Sequence, residues 1–191
     1  MGRILQFSDV HFGCEHKGAV AAALEYAHAT PNDLVLITGD ITQKGYPDEF
    51  EAAGQWIRRM PEPRFVIVGN HDVPYWDAVA RLFHPWKAFE TATGFPAHDG
   101  QFCNETVMVR GVVTARGWQA RPNWSKGVID LDQTRRAGMA QHVRHHILVV
   151  GKTDRVLGIV PGNAETLLID IGNTGVNDVV AVQSVAGVGG I

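Results

Sequence analysis

Polar side chains of the kinds that bind metal ions follow three short apolar runs in the first half of the chain. The runs cover residues 4–7, 34–37 and 65–68, and the polar residues behind them are Asp9, His11, Asp40, Asn70 and His71. Carboxylates, imidazoles and an amide oxygen together are typical ligands of divalent cations, and the amide favours a hard cation. The residue types alone therefore indicate a metal site, provided that the fold brings them together.

The elements that would position these residues are predicted by the same spacing. A short apolar run bounded by turn residues is typical of a buried strand of a parallel sheet. The runs recur roughly every thirty residues, which is the length of a βαβ unit. Parallel strands end at one edge of the sheet, where α/β folds bind ligands. We therefore expect the polar residues to meet at that edge.

This pattern suggests a specific chemistry. Asp40, in the middle of the set, has two carboxylate oxygens and is placed to bridge two cations. Two divalent ions about 3.5–4 Å apart generate a hydroxide nucleophile and clamp the oxygens of an in-line displacement. His71 could donate a proton to the leaving oxygen or stabilise charge on phosphorus, and Asp72 could orient it. If the backbone of Asp9-x-His11 stays extended, both side chains point the same way.

The motifs Asp9-x-His11, Gly39-Asp40 and Gly69-Asn70-His71-Asp72 resemble the first three motifs of the calcineurin-like metallophosphoesterase superfamily. Their order and spacing make this resemblance specific over about residues 3–75. More loosely it extends to about residue 138, where segments 123–127 and 132–133 resemble the small bacterial cyclic-nucleotide-phosphodiesterase-like branch.

The resemblance implies an α/β fold, a layered sandwich of two mixed β-sheets flanked by helices. It also implies two divalent metal ions, such as Mn, Fe or Zn. Asp9, His11 and Asp40 would hold one ion, and Asp40 and Asn70 the second. His71 would act on the phosphoester, with Asp72 as the other catalytic residue.

The chain departs from this pattern in its last part. It contains no Gly-His-x-His element, and His145 and His146 precede the apolar run 147–150, whereas the family's histidine follows the strand. No aromatic residue follows Trp124 and no histidine follows His146. We therefore expect one domain over 1–191, family-like over 1–138, with a divergent and incomplete tail over 139–191. Such a tail is typical of a reading-frame shift, and the sheet would then lack its proper partner strands.

Periodicity predicts the remaining elements. Helices are expected over residues 16–29 and 47–59, and a helical segment over 74–92 is broken at Pro85. A strand bent at Gly111 is expected over 106–116 and a helix over 130–142. Further strands are expected over residues 147–150, 155–160, 165–171 and 178–185. Trp56, Trp76 and Trp86 are expected to pack on helix faces.

Composition excludes several classes of protein. The formal net charge of −3 provides no basic surface for nucleic acid, so a DNA repair nuclease is disfavoured. No run approaches the ~20 apolar residues of a membrane span, and the start shows no signal-type segment, so we expect a cytoplasmic protein. The two cysteines form no disulfide framework. Cys14 is expected to be a small buried side chain rather than a ligand.

We therefore predict a metal-dependent hydrolase of phosphoesters, more specifically a phosphodiesterase. Its substrate would be a small phosphoester, with nucleotides among the candidates. The alternative is a catalytically impaired or non-catalytic remnant that keeps the fold and serves as an interaction domain. Metal content distinguishes the two, because two equivalents per chain favour the enzyme and none favours the remnant.

Overall fold

The computed structural model of the chain describes residues 3–105 and 108–118 in full, and the backbone of Val107 and of three later strands. The strands are β1 (Arg3–Ser8), β2 (Leu34–Thr38), β3 (Arg64–Ile67), β4 (Gln101–Cys103), β5 (Val107–Val112), β6 (His145–Val150), β7 (Glu165–Asp170) and β8 (Ala181–Val185). The helices are α1 (Lys17–Ala29), α2 (Pro47–Arg59), α3 (Ala78–Phe83) and α4 (Lys87–Thr93).

The strands before the candidate ligands form one parallel sheet, as predicted. Its order is β3-β2-β1-β7-β8, and every neighbouring pair is parallel except β7 with β8. Ile4 pairs with Leu34, and Val35 with Arg64, so the ends of β1, β2 and β3 lie level. The carboxyl ends of these strands therefore share one edge of the sheet.

A second sheet has the order β4-β5-β6, with β4 antiparallel and β6 parallel to β5. It packs against one face of the first sheet through the buried cluster Ile4, Leu34, Leu36, Phe65, Ile67 and Val109. A Cβ at Gly111 would lie 3.3 Å from Cγ1 of Ile67, so the second sheet approaches closely there. The fold class predicted from the family resemblance, two mixed sheets with helices, is confirmed.

The opposite face of the first sheet carries the helices. Alternate strand residues such as Leu5, Phe7, Val35 and Ile37 join residues of α1, α2 and α4 in the larger core cluster. Trp56 of α2 packs edge-on against Phe7, with ring centroids 5.7 Å apart. Helices α1 and α2 agree with the predicted bounds to within one residue.

The predicted helical segment at 74–92 is two short helices. Asp77 caps the start of α3, and its side chain accepts hydrogen bonds from Val79 N and Ala80 N. Pro85 lies in the break between α3 and α4, as expected. Trp56 and Trp86 pack as expected, whereas Trp76 precedes α3 and is 51% exposed, so its predicted packing on a helix face is wrong.

The later strands change one expectation. β7 lies parallel to β1 over six residue pairs, from Arg3 with Glu165 to Ser8 with Asp170. β1 therefore has neighbours on both sides, and the expectation that the sheet would lack partner strands is wrong for this edge. The predicted strand at 155–160, the helix at 130–142 and the segment 123–127 lie outside the described residues. Among the described helices, none has the length and apolar character required to cross a bilayer.

Candidate metal centre

The loops after β1 and β2 run side by side beyond the sheet. The backbone N–H of His11 donates to the carbonyl of Asp40 at 3.0 Å, and that of Phe12 donates to Ile41 at 2.8 Å. Phe12 and Thr42 form an isolated parallel bridge. These bonds extend the parallel register past the strand ends, and they bring Asp9 and His11 level with Asp40.

The backbone at this edge is left-handed at three of the predicted ligands. Asp9, His11 and Asp40 have φ values of 54°, 51° and 49°. The backbone of Asp9-x-His11 is therefore not extended, and the condition for parallel side chains is not met. Residues other than glycine reach this conformation at a cost of about 1–2 kcal/mol. Strain of this kind is often found at functional sites.

Three of the predicted ligands form a cluster. Asp9, His11 and Asp40 each offer a ligand atom, and these atoms lie within 4.8 Å of one another. Nε2 of His11 is 3.8 Å from Oδ1 of Asp9. The side chain of Asp9 is 43% exposed, whereas Asp40 is buried. The cluster is therefore open to solvent on the Asp9 side.

Two buried atoms at this edge fit a bound cation. Nδ1 of His11 and Oδ1 of Asn70 are both buried without a hydrogen-bond partner. A buried polar atom without a partner costs about 1–3 kcal/mol, so such atoms are rare. Each has a lone pair that a divalent ion would satisfy. The donor set of two carboxylates, an imidazole and an amide oxygen fits a hard or borderline cation.

The carboxylate of Asp40 is held by the turn after β3. Its Oδ1 accepts a hydrogen bond from the backbone N–H of His71 at 2.9 Å. A Cβ at Gly69 would overlap both the backbone N and the Oδ1 of Asp40. Gly39, with φ of 78°, faces this glycine, and its Cβ would be 2.8 Å from Cα of Gly69. The glycines of both motifs are therefore required by this backbone approach.

Asp72 stabilises the turn between Gly69 and His71. It is fully buried, and it accepts hydrogen bonds from Gly69 N at 2.7 Å, Thr42 N at 2.8 Å and Thr42 Oγ1 at 3.0 Å. Burial, and then the charge of Asp40, raise the pKa of Asp72 to about 7, although these hydrogen bonds oppose the shift. Asp72 thus joins the β2 and β3 loops.

The imidazole of His71 is oriented by a backbone carbonyl rather than by Asp72. Its Nδ1 lies 2.6 Å from the carbonyl oxygen of Gln43. Because a carbonyl only accepts, Nδ1 carries a proton, and Nε2 is the nitrogen that can exchange one. The ring meets that of His11 edge-on, with centroids 4.8 Å apart. The expected contact from Asp72 to the His71 ring is therefore corrected to one from Gln43.

His11 lies in an acidic environment. Burial lowers its pKa, but the hydrogen bond with Asp9 and the charges of Asp40, Asp9 and Asp72 outweigh burial, so the pKa is raised. Since a metal ion binds only the deprotonated imidazole, cation and proton compete here. Metal affinity should therefore fall as the pH falls through the pKa of His11.

Sequence reasoning missed two residues that shape the site. Gln43 was not singled out, although its carbonyl orients His71. Glu49, in the first turn of α2, is buried and accepts hydrogen bonds from Lys44 N at 2.8 Å and Tyr46 N at 3.1 Å. An acid at the third helical position is the signal of a capping box, which could have identified Glu49.

Two other candidates can be placed. Cys14 is exposed, so the expectation of a buried side chain is wrong; its thiol lies 3.0 Å from Oε1 of Gln43. His145 and His146 are the first two residues of β6, where only the backbone is described.

The chain is similar in sequence to known phosphoesterases. Residues 2–141 match the model of the calcineurin-like phosphoesterase family. A probable cyclic nucleotide phosphodiesterase of Synechococcus sp. is 30% identical over 80 residues, which are 37% of this chain and 31% of that protein. A probable glycerophosphodiester phosphodiesterase of Arcobacter nitrofigilis is 30% identical over 98 residues, 46% of this chain and 35% of that protein. The chain thus spans about a third of these curated relatives.

Proposed function

Because the chain belongs to the calcineurin-like phosphoesterase family, we propose that it is a metal-dependent phosphodiesterase acting on small phosphoesters. The observation that carries this proposal is the convergence of Asp9, His11 and Asp40, whose ligand atoms lie within 4.8 Å of one another. The names of both relatives, which specify diesters, support diesters over monoesters.

The residues at the sheet edge fit two cations. Asp9, His11 and Asp40 would hold one, and Asp40 and Asn70 the second. When bound, two divalent ions supply a hydroxide nucleophile from water and a positive charge that clamps the phosphoester oxygens. Asp40 would contribute to both sites, because its carboxylate has two oxygens and the His71 N–H holds it in orientation.

His71 is proposed as the proton donor to the leaving alcohol. The Gln43 carbonyl holds Nδ1 in its protonated form, so Nε2 donates when the ring is charged. Asp72 contributes indirectly, because its hydrogen bonds to Gly69 and Thr42 hold the turn that carries Asn70 and His71. It is a positioning residue in this mechanism.

The alternative is a remnant that keeps the fold without turnover. The missing Gly-His-x-His element favours it, because in the family that element completes both metal shells. Under this alternative the chain would bind metal weakly or not at all.

Metal content and hydrolysis test the proposal together. The purified 191-residue chain is stripped with chelator and titrated with Mn²⁺, and bound metal and hydrolysis of bis(p-nitrophenyl) phosphate are measured. The proposal expects about two bound ions per chain and metal-dependent hydrolysis. Binding of no metal, with no hydrolysis, would establish the remnant.

The variant Asp40→Asn makes the test specific to the site. It should lose most bound metal and all metal-dependent hydrolysis, since one carboxylate would neutralise both cations. Asp99→Asn is the matched control, because Asp99 also has a left-handed backbone, with φ of 52°, but lies outside the cluster. If Asp40→Asn keeps full metal content and rate, the bridging assignment is wrong.

A further inference from the structure

Two aromatic rings stack on the loops that position His71. The rings of Tyr46 and Trp76 have centroids 6.2 Å apart and planes inclined by 27°. Trp76 Nε1 donates to the carbonyl of Gly45 at 3.1 Å, yet 51% of the residue remains exposed. The indole is thus fixed in orientation while a large part of its surface faces solvent.

A ladder of contacts connects these rings to the metal centre. The loop after β2 meets the loop after β3 through Thr42 with Asp72, Gln43 with His71, Lys44 with Tyr75 and Gly45 with Trp76. Tyr46 is three residues beyond Gln43, so their Cα atoms are at most about 11 Å apart. The stacked pair therefore lies within reach of a group attached to a phosphoester at the site.

The segment that carries Trp76 is held in place just before Trp76, at Val73 and Pro74. Gly45, with φ of 69°, lies against it so closely that a Cβ would be 3.1 Å from the carbonyl oxygen of Val73. The buried guanidinium of Arg81 also donates to the carbonyls of Pro74 at 3.2 Å and Gly117 at 2.9 Å. This rigidity distinguishes Trp76 from a side chain that is merely exposed, because a preorganised ring binds without an ordering cost.

We propose that Trp76, supported by Tyr46, stacks on the planar base of the substrate, so that the site selects nucleoside phosphodiesters over aliphatic ones. This specificity rests on the proposed function, because it assumes that the phosphoester binds at the Asp9–His11–Asp40 cluster. Stacking of a base on an aromatic side chain is tolerant of the base's identity. The site therefore selects for a base rather than for one particular base.

Ligand binding tests this proposal without requiring turnover. AMP and ribose 5-phosphate share the sugar phosphate and differ by the base, so calorimetric titration of the Mn²⁺-loaded full chain isolates stacking. The wild-type chain should bind AMP about 10-fold more tightly than ribose 5-phosphate. Trp76→Ala should weaken AMP binding about 10-fold and change ribose 5-phosphate binding less than about 2-fold.

Two further variants control for packing and hydrophobicity. Trp76→Phe keeps a ring and should retain most of the preference for AMP. Phe83→Ala removes another exposed aromatic side chain, which lies on α3 and takes no part in the contacts between the loops after β2 and β3. It should leave both affinities unchanged. Thermal unfolding of each variant confirms that the fold is intact.

The outcomes separate this inference from the proposed function. Metal-dependent diester hydrolysis with no preference for AMP over ribose 5-phosphate would overturn the stacking role while leaving the function standing. Equal weakening of both ligands in Trp76→Ala would also overturn it, because it would show a general effect on the site. If neither ligand binds the metal-loaded chain, the stacking role fails, and metal content with diester hydrolysis decides the proposed function separately.

Discussion

At the scale of single residues, the side chains of the centre are held by partners that lie far away in the chain. The carboxylate of Asp40 accepts a hydrogen bond from the His71 N–H, and the Gln43 carbonyl orients the His71 ring. The carboxylate of Asp72 accepts a hydrogen bond from Thr42 N. Each contact joins the loop after β2 to the loop after β3. The chemistry of one loop therefore depends on the integrity of the other.

Replacing His71 tests its proposed role as an acid. His71→Ala should keep the bound metal but slow diester hydrolysis about 10²–10⁴-fold, the usual contribution of general acid catalysis. The loss should be smaller for a p-nitrophenyl ester than for an alkyl ester, because a good leaving group needs no proton. His84→Ala, at an exposed histidine after α3, is the control. Equal losses with both esters would indicate charge stabilisation instead.

Asp72 should make the stability of the metal-free chain dependent on pH. Its pKa of about 7 lies above the ordinary value of 3.8, so the folded state holds the proton after the unfolded state has lost it. The stability that Asp72 contributes is complete below about pH 4 and is lost as the pH rises through about 7. Between about pH 5 and pH 7.5, the free energy of unfolding of the wild type should fall by about 2 kcal/mol more than that of Asp72→Asn.

Urea unfolding of both proteins in chelator measures this difference. The comparison between variants matters, because other groups also titrate over this range. An identical dependence on pH in the wild type and in Asp72→Asn would show that Asp72 is already ionised in the folded state.

At the scale of elements, the centre depends on how closely the ends of β2 and β3 approach. Gly39 and Gly69 face each other there, and neither leaves room for a Cβ. The same approach places the Asp40 carboxylate beside the His71 N–H. The geometry of the metal site is therefore set by backbone packing between neighbouring strand ends.

Gly69→Ala should damage the metal site through this contact. The added methyl group overlaps Asp40, so we expect most bound metal to be lost. The free energy of unfolding should fall by about 1–3 kcal/mol. Gly94→Ala is the control, because Gly94 has φ of 77° but nothing within 4 Å of its Cβ. It should cost about 1–2 kcal/mol of stability without loss of metal. Full metal content in Gly69→Ala would show that the strand ends can separate without harm.

At the scale of the whole molecule, most of the chain matches the family, but the sequence lacks one of the family's motifs. The match covers residues 2–141, whereas the Gly-His-x-His element is missing from the sequence. The described ligands of the proposed centre all come from the loops after β1, β2 and β3. Metal binding should therefore be weaker than in a site with a complete shell.

We predict that residues beyond about 138 are not the family's native C-terminal half. One shift of reading frame would remove the aromatic residues, the later histidines and the Gly-His-x-His element together. Translating the two other frames of the gene downstream of codon 138 tests the frameshift explanation. Finding the Gly-His-x-His element in neither frame would contradict it. High activity of the 191-residue chain would contradict an impaired site, and would make His145 or His146 the leading replacement ligand.

Local patterns and one topological rule were enough to predict the centre of the fold from the sequence alone. Residues 4–7, 34–37 and 65–67 lie in buried parallel strands, as predicted for all but the last residue of the third run, and Asp9, His11 and Asp40 converge because parallel strands end at one edge. These features follow from periodicity within short segments, which a sequence carries directly.

Only the tertiary structure decided how those residues are held. The left-handed backbones of Asp9 and His11 follow from hydrogen bonds to the neighbouring loop, and the Gln43 carbonyl meets His71, which is 28 positions further along the chain. The exposure of Cys14 and the place of β7 beside β1 are likewise outcomes of packing between distant segments. Contacts of this kind leave no periodic trace in a sequence, because their partners are set by the chain's path through space.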